Sequence, residues 1–299
     1  MNSELCGILP VYKEQDWTSF DVIAKLRGML HMKKLGHGGT LDPMAEGVLP
    51  VFVGKAAKAC DMIPDRDKAY TAGFKLGIST DTEDITGKVQ TSCDRAVSRE
   101  EIEALLPEFT GEIEQLPPMY SAVKVGGKKL YELAREGKTV ERRARAVRVD
   151  SLRITEYDPE SREGIIEIRC GKGTYIRTII SDIGQRLGSG GVMTSLVRAW
   201  SGGVGIGQCM KLSEIEKALQ EKGAEALLIP LDRAFSEYPE IRLGRRETGL
   251  YRNGVKLRAQ QTGREPEEGE LRIYGSEGEF LGIGYFEQGL LRSRKNFYT

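Results

Sequence analysis

The chain has 299 residues, 39% of them hydrophobic, and its 44 basic residues balance 44 acidic ones. This length and composition predict an ordinary globular protein with a substantial core. The five scattered cysteines lack C-x-x-C spacing, which argues against a disulfide framework or a zinc knuckle. No signal-peptide pattern or membrane-length apolar run is present, so we expect a cytoplasmic protein. With two histidines and no clustered carboxylates, we expect no built-in transition-metal site.

The predicted elements begin with a helix that Ser19 caps and that ends near Gly36. A glycine-rich loop, GHGGTLDP, follows it, and two strands come next, GVLPVFVG and YTAGFKLGI. In the second strand apolar residues alternate with others from Tyr70 onward. The segment STDTEDITG is rich in residues typical of turns, and SREEIEALLPEF predicts a capped helix.

The segment that follows, about residues 118–148, reads as a basic arm with little core-forming material. A strand, EGIIEIRC, and a helix, YIRTIISDIGQRLG, come after it. From about residue 235 the pattern changes to short strands separated by glycines. The sequence therefore predicts a catalytic domain over 1–234 and a small β-rich domain over 235–299.

Charge is unevenly distributed along this neutral chain. Residues 81–118 hold ten acidic and three basic residues, whereas residues 124–148 hold nine basic and three acidic ones. Residues 242–258 add six basic residues against one acidic residue. Each basic patch alone is compatible with a solvated face, but two patches together indicate a polyanionic partner.

Asp42, in the loop GHGGTLDP, is the most distinctive candidate for chemistry. An Asp before a Pro is commonly a helix N-cap, and that interpretation stays open. The glycines at 36, 38, 39 and 47 permit close approach of another backbone, and the strand that follows anchors the loop. Catalytic side chains are often found on loops fixed in this way.

Two other segments allow a structural or a functional interpretation. In GKGTYIRTI, Tyr175 packs and Arg177 is solvated, or both serve a site where a strand ends and a helix begins. Lys13 is either a surface lysine or a contact to a ligand.

Several motifs occur together and in order: GHGGTLDPMAEGVLPV, KAYTAGFKLG, LPPMYSAVKVGGKKLYELAREG and GKGTYIRTII. With the small terminal β domain, they resemble the TruB family of tRNA pseudouridine synthases from about residue 5 to the C-terminus. The resemblance implies an α+β fold, with a mixed, mainly antiparallel sheet, flanking helices and a C-terminal PUA-like domain. It also implies isomerisation of the T-loop uridine at position 55 of tRNA, without a metal or cofactor.

The resemblance assigns roles to individual residues. Asp42 matches the family's catalytic aspartate, which acts on the ribose of a flipped-out nucleotide. Arg177 matches the arginine that pairs with it and keeps it ionised and oriented. Tyr70 matches the tyrosine that stacks on the uracil and is the candidate acceptor of the C5 proton. Tyr175 matches a residue near the base, and Leu196 matches an apolar wall of the pocket.

Further residues match substrate and RNA contacts. His37 matches the histidine that replaces the expelled nucleotide, and Lys13 matches a substrate contact. The arm would close on the T-arm, and the C-terminal domain would grip the acceptor end. The phosphate contacts implied are Lys124, Lys128, Lys129, Arg142, Arg143 and Arg198.

The sequence departs from the family pattern at three places. Glu14 and Asp16 follow Lys13, Gly38 follows His37, and Val197 replaces an arginine before Arg198.

Three competing functions also fit parts of the sequence. One is an RNA-binding tRNA folding helper, in which isomerisation is secondary. Another is an aspartate-dependent glycosidase, which lacks an identifiable second carboxylate. The last is a guide-RNA-dependent relative, and the long basic arm favours a form that needs neither a guide RNA nor a protein partner.

Overall fold

A nine-stranded sheet and a separate five-stranded sheet form the framework of the computed structural model, which describes residues 5–298. The strands of the larger sheet include β1 (Gly7–Lys13), β2 (Leu35–His37), β3 (Glu46–Val53), β4 (Lys68–Leu76), β7 (Gly111–Gln115), β10 (Arg145–Asp158), β11 (Glu163–Cys170), β12 (Gly191–Ser201) and β13 (Val204–Gly205). The smaller sheet contains β14 (Glu240–Arg242), β15 (Leu257–Arg258), β16 (Glu270–Tyr274), β17 (Phe280–Glu287) and β18 (Leu290–Asn296). Two hairpins are made by β5 (Ile78–Thr80) with β6 (Val89–Ser92), and by β8 (Lys124–Val125) with β9 (Lys128–Lys129).

The helices lie against or between these sheets. They are α1 (Ser19–Met29), α2 (Arg99–Leu105), α3 (Leu130–Arg135), α4 (Ile176–Arg186), α5 (Leu212–Lys222), α6 (Arg245–Arg252) and α7 (Ala259–Thr262). Within residues 5–298, none of them is long and apolar enough to cross a membrane.

The larger sheet has the strand order β1-β3-β12-β4-β11-β10-β7, with β2 beside β3 and β13 beside β12. All its strand pairs are antiparallel except β3 with β12. The alternation predicted for β4 is observed, since Tyr70, Ala72, Phe74 and Leu76 are buried and share a core with the apolar face of α4. The predicted α+β fold with a mixed, mainly antiparallel sheet is therefore confirmed.

The first helix differs from its prediction at both ends. Thr18, not Ser19, is the N-cap, and its side chain accepts a hydrogen bond from the backbone N–H of Asp21. The Ser19 hydroxyl instead accepts from the backbone N–H of Leu41 at 2.9 Å, which fastens the helix to the residue before Asp42. The helix ends at Met29, and β2 occupies the place of the expected turn at Gly36, because residues 35–37 pair with β3.

The basic arm carries more structure than its composition predicts. The hairpin of β8 and β9 leads into α3, and Leu130 and Leu133 of that helix are buried. Residues 145–148, at the end of the segment predicted as the arm, belong to β10 and pair with β7. Two apolar anchors and a short hairpin therefore shape the arm.

The five-stranded sheet begins at Glu240, within the segment predicted to be a separate β-rich domain. Its own core contains Leu271, Ile273 and Leu281. A second apolar cluster joins it to the larger sheet, where Phe235, Ile283 and other residues pack with Phe52 of β3. The two sheets are thus coupled through a shared apolar cluster.

Candidate active site

Asp42 lies in a tight turn that leads into β3 of the larger sheet. The backbone N–H of Ala45 donates to the carbonyl of Asp42 at 3.0 Å, and no helix begins at this position. The helix-cap interpretation of Asp42 is therefore wrong. The carboxylate is 38% exposed, so a substrate can reach it.

Arg177 comes to Asp42 from the second residue of α4. The entry to this helix is held by Gln115 of β7, whose amide accepts from the backbone N–H of Tyr175 at 2.8 Å and donates to its carbonyl at 3.0 Å. This pair of bonds fixes the path of the backbone immediately before Arg177. The phenol of Tyr175 is half-buried.

The Arg177 guanidinium is surrounded by acceptors. Its Nε lies 3.0 Å from Oδ2 of Asp42, while Nη1 donates to the carbonyl of Thr82 at 2.8 Å and Nη2 to the carbonyl of Tyr120 at 2.9 Å. Only 5% of its side chain is exposed. Each nitrogen of the guanidinium thus has a partner, so Arg177 joins the Asp42 carboxylate to the base of the arm at Tyr120.

Asp84 is a functional candidate that sequence reasoning missed. Its Oδ2 lies 3.9 Å from Nε of Arg177, while its Oδ1 accepts hydrogen bonds from Thr82 and Thr86. The side chain is 8% exposed, so it supports Arg177 and does not face a substrate. The acidic residues of STDTEDITG could have indicated this candidate. Acidic residues are also typical of turns, however, and the segment was predicted only as a turn.

Lys13 is fully buried beneath the Asp42 turn. Its Nζ donates to the carbonyls of Ala45 at 2.5 Å, Pro43 at 3.2 Å and Glu14 at 3.1 Å. Burial lowers the pKa of Lys13 to about 8, against the opposing effect of the Asp42 charge. The predicted direct contact of Lys13 with substrate does not fit this geometry, because its ammonium is occupied by backbone carbonyls of the turn.

Tyr70 and Leu196 lie on the neighbouring central strands β4 and β12. Both side chains are buried in the same core cluster, and 7% of Tyr70 is exposed. Burial raises the pKa of the Tyr70 phenol, while the nearby Arg198 guanidinium acts in the opposite direction. The same cluster contains Leu41 and Ala45, which flank the Asp42 turn.

His37, the last residue of β2, lies in the loop that leads to Asp42. Burial is the main cause that lowers the pKa of its imidazole, and the charge of Arg198 adds to it. Both effects favour the neutral form of the ring. Its Nδ1 is buried and has no hydrogen-bond partner among residues 5–298. The ring as a whole is only partly buried, and its flat shape suits stacking against a nucleotide.

Arg198 does not occupy the place that its predicted role requires. The side chain is fully buried, and its guanidinium donates to the carbonyls of Val48 at 2.7 Å, Gly39 at 3.0 Å and Thr40 at 3.4 Å. The prediction that Arg198 contacts phosphate is corrected, because no nucleic-acid backbone can reach a group enclosed in this way.

The remaining predicted RNA contacts lie in the arm. Lys124, Lys128 and Arg143 are exposed, whereas Lys129 and Arg142 are partly buried. Lys128 lies 3.3 Å from Glu136, and Arg142 donates to the carbonyl of Pro117 at 2.9 Å.

Among residues 5–298, no group of three or more His, Cys, Asp or Glu side chains is placed to hold a metal ion.

Three family models match consecutive parts of this chain. Residues 27–176 match the N-terminal domain of TruB family pseudouridylate synthases, residues 177–236 match the C-terminal domain of tRNA pseudouridylate synthase B, and residues 239–295 match the C-terminal region of pseudouridine synthase II TruB. The tRNA pseudouridine synthase B of Lachnoclostridium phytofermentans is 42% identical over 98% of this chain and 97% of its own. That of Levilactobacillus brevis is 43% identical over 92% and 93%.

A solved structure, the crystal structure of a Cbf5-Nop10-Gar1 complex, contains a similar chain. The similarity has a TM-score of 0.73, with 25% identity over 98% of this chain and 85% of that chain. The fold is that of a pseudouridine synthase. The chain belongs to the TruB family of pseudouridylate synthases.

Proposed function

We propose that this protein converts the T-loop uridine at position 55 of tRNA to pseudouridine, with Asp42 as the catalytic carboxylate. The observation that carries the proposal is the half-exposed Asp42 carboxylate, held 3.0 Å from the buried Arg177 guanidinium. The relatives that cover nearly the whole chain are named tRNA pseudouridine synthase B. The same substrate class is therefore assigned to this chain.

The reaction is an isomerisation that needs no external reductant or energy source. The bond between C1′ of the ribose and N1 of the uracil breaks, and a bond between C1′ and C5 forms. C5 loses one proton and N1 gains one, so atoms and charge balance. An oriented carboxylate that reaches the ribose can assist the detachment of the uracil, either by attack or by deprotonation of the sugar.

We assign roles to the other residues by their match to the motifs of the family. Arg177 orients the carboxylate, and Tyr70 stacks on the uracil and accepts the proton from C5. Tyr175 lies beside the base, and Leu196 forms an apolar wall of the pocket. Flipping the uridine out of its base stack costs a few kcal/mol. His37 fills the gap that the flipped nucleotide leaves.

The basic arm supplies contacts to the T-arm of tRNA. Lys124, Lys128 and Arg143 expose their charges to solvent, which suits salt-sensitive phosphate contacts, and Lys129 and Arg142 lie beside them. The five-stranded C-terminal domain, with its basic segment 242–258, takes the acceptor end. We assign no guide RNA or protein partner, and we place the protein in the cytoplasm.

The direct test is incubation of the protein with an unmodified tRNA transcript, followed by mapping of pseudouridine. We expect modification at position 55 with the wild type and none with Asp42→Asn, while the Kd for tRNA changes by less than about threefold. Asp94→Asn is the matched control, because that carboxylate is fully exposed and lies in an unrelated loop. A wild type that binds and refolds tRNA without forming pseudouridine would favour the folding-helper function.

A further inference from the structure

Arg198 lies between the two strands that carry the proposed chemistry. In the sheet its Cα pairs with Gly47 of β3 on one side and with Tyr70 of β4 on the other. Gly47 makes the first pairing possible, because a Cβ there would lie 2.4 Å from the Arg198 carbonyl oxygen. The guanidinium is fully buried, so each of its N–H groups needs a partner within the protein.

Its hydrogen bonds join both ends of the segment that contains Asp42. The carbonyls of Gly39 and Thr40 precede Asp42 by three and two residues, and the carbonyl of Val48 lies in the strand that follows. The rigid fork of a guanidinium donates in several fixed directions, so one side chain serves all three carbonyls at once. The turn is thereby held from below.

Arg198 also acts on Tyr70. Directly opposed residues of an antiparallel pair carry their side chains on the same face of the sheet, about 5 Å apart at Cβ. Burial is the largest effect and raises the pKa of the Tyr70 phenol, while the charge of Arg198 opposes it. Cys170 of β11 and Asp42 also raise this pKa. The guanidinium is thus on the same face as the Tyr70 side chain and close enough for its charge to act on the hydroxyl.

We propose that Arg198 is a positioning residue of the reaction, whose buried guanidinium holds the Asp42 turn and the Tyr70 hydroxyl in one fixed arrangement. The inference rests on the proposed function, because it requires Asp42 and Tyr70 to act on the same nucleotide. Once C5 is bonded to C1′, the oxygen of Tyr70 accepts the C5 proton as the phenol passes its own proton to solvent, and N1 takes a proton from solvent.

The test separates positioning from RNA binding. Arg198→Met removes the guanidinium, and Arg198→Lys keeps the charge and serves as the variant that still folds if the first does not. The readouts are the Kd for tRNA, the dependence of that Kd on salt, and the single-turnover rate of tritium release from tRNA labelled at C5 of uridine. Arg153→Met is the control, since this arginine is exposed on β10.

We expect the single-turnover rate to fall about 100-fold for Arg198→Met and about tenfold for Arg198→Lys, as for a misplacement of about 1 Å. The Kd should stay within about threefold of wild type, and its salt dependence should not change. In a Tyr70→Phe background the rate loss caused by Arg198→Lys should shrink, because part of the effect passes through that hydroxyl.

Three results would overturn the inference. A normal rate in both Arg198→Lys and Arg198→Met would refute the positioning role of Arg198. Weaker tRNA binding with a smaller salt dependence and an unchanged rate would instead show that Arg198 contacts a phosphate. An equal rate loss with and without the Tyr70 hydroxyl removes Tyr70 from the arrangement. Failure of the proposed function looks different, since the wild type would then be inactive or Asp42→Asn would be active.

Discussion

Replacement of Arg177 by methionine tests the central ion pair most directly. The change keeps a long apolar stem but removes the guanidinium that contacts Asp42, Thr82 and Tyr120. It also leaves Asp84 as a buried carboxylate without its nearby cation. Two consequences follow, one for stability and one for the rate.

The stability loss is dominated by the buried partners. Asp84 and Arg177 are both less than a tenth exposed, and removal of one member of a buried charge pair costs about 3–5 kcal/mol. The contact with Asp42 adds little to this figure, because that carboxylate is 38% exposed and its interaction is screened by solvent. We therefore expect the free energy of unfolding to fall by about 3–5 kcal/mol.

The rate loss comes from the freed Asp42 carboxylate. Removal of one preorganised electrostatic contact from an active site typically costs 10²–10³ in rate, and we expect a loss of about 10³ in single-turnover tritium release for Arg177→Met. Arg177→Lys, which can serve one of the acceptors, should retain more activity. Arg186→Met is the matched control, because Arg186 lies on the same helix and is exposed.

Urea unfolding and tritium release with C5-labelled tRNA measure the two effects separately. The reasoning is refuted if Arg177→Met retains a rate within about tenfold of wild type while it is folded. It is also refuted in its energetic part if the free energy of unfolding is unchanged.

Three further predictions concern the arm and the support of the Asp42 turn. Lys128→Gln with Lys129→Gln should weaken tRNA binding and make the plot of log K against log salt shallower by about 1.5, and an unchanged slope would show that neither meets a phosphate. The pKa of Lys13 is about 8 in the folded protein, against an ordinary value of 10.5. At pH values between these two, the unfolded chain therefore binds more protons than the folded protein does. Wild type should therefore gain about 3 kcal/mol of stability relative to Lys13→Met as pH rises from 8 to 10.5, as measured by urea unfolding across this range, and a flat difference would contradict the burial of a charged ammonium. Gly47→Ala places a Cβ 2.4 Å from a backbone carbonyl oxygen of β12, at a φ of +102° that a side chain rarely adopts. It should lower the free energy of unfolding by about 3 kcal/mol or more, as measured by thermal unfolding. Gly207→Ala, where a Cβ would meet open space, is the control and should lower it by less than about 1 kcal/mol.

Much of the fold could be predicted from local patterns. The alternation that starts at Tyr70 defines β4, and the apolar spacing after Tyr175 defines α4, because burial on one face imposes a period of two on strands and 3.6 on helices. The ends of α1 were predicted wrongly. Thr18 and Ser19 are both good caps, and the long-range contact of Ser19 with Leu41 decides which of them caps the helix.

The candidate site was predictable only in part. The resemblance placed Asp42, Arg177 and Tyr70 together, and the structure brings these residues to neighbouring elements of one sheet and one helix. It gave Lys13 and Arg198 the roles of ligand contacts, and the structure buries both beneath the turn. It gave Asp84 no role, although this carboxylate lies within 4 Å of Arg177.

The sequence by itself determined the periodic elements, the uneven charge and, through its ordered motifs, the family. The tertiary structure alone decided which charged side chains face solvent and which support the turn. The reason is that burial of Lys13 and Arg198 depends on the strand order β1-β3-β12-β4 and on the parallel pairing of β3 with β12. These contacts join residues far apart in the chain, and no local pattern of residue types encodes such pairings.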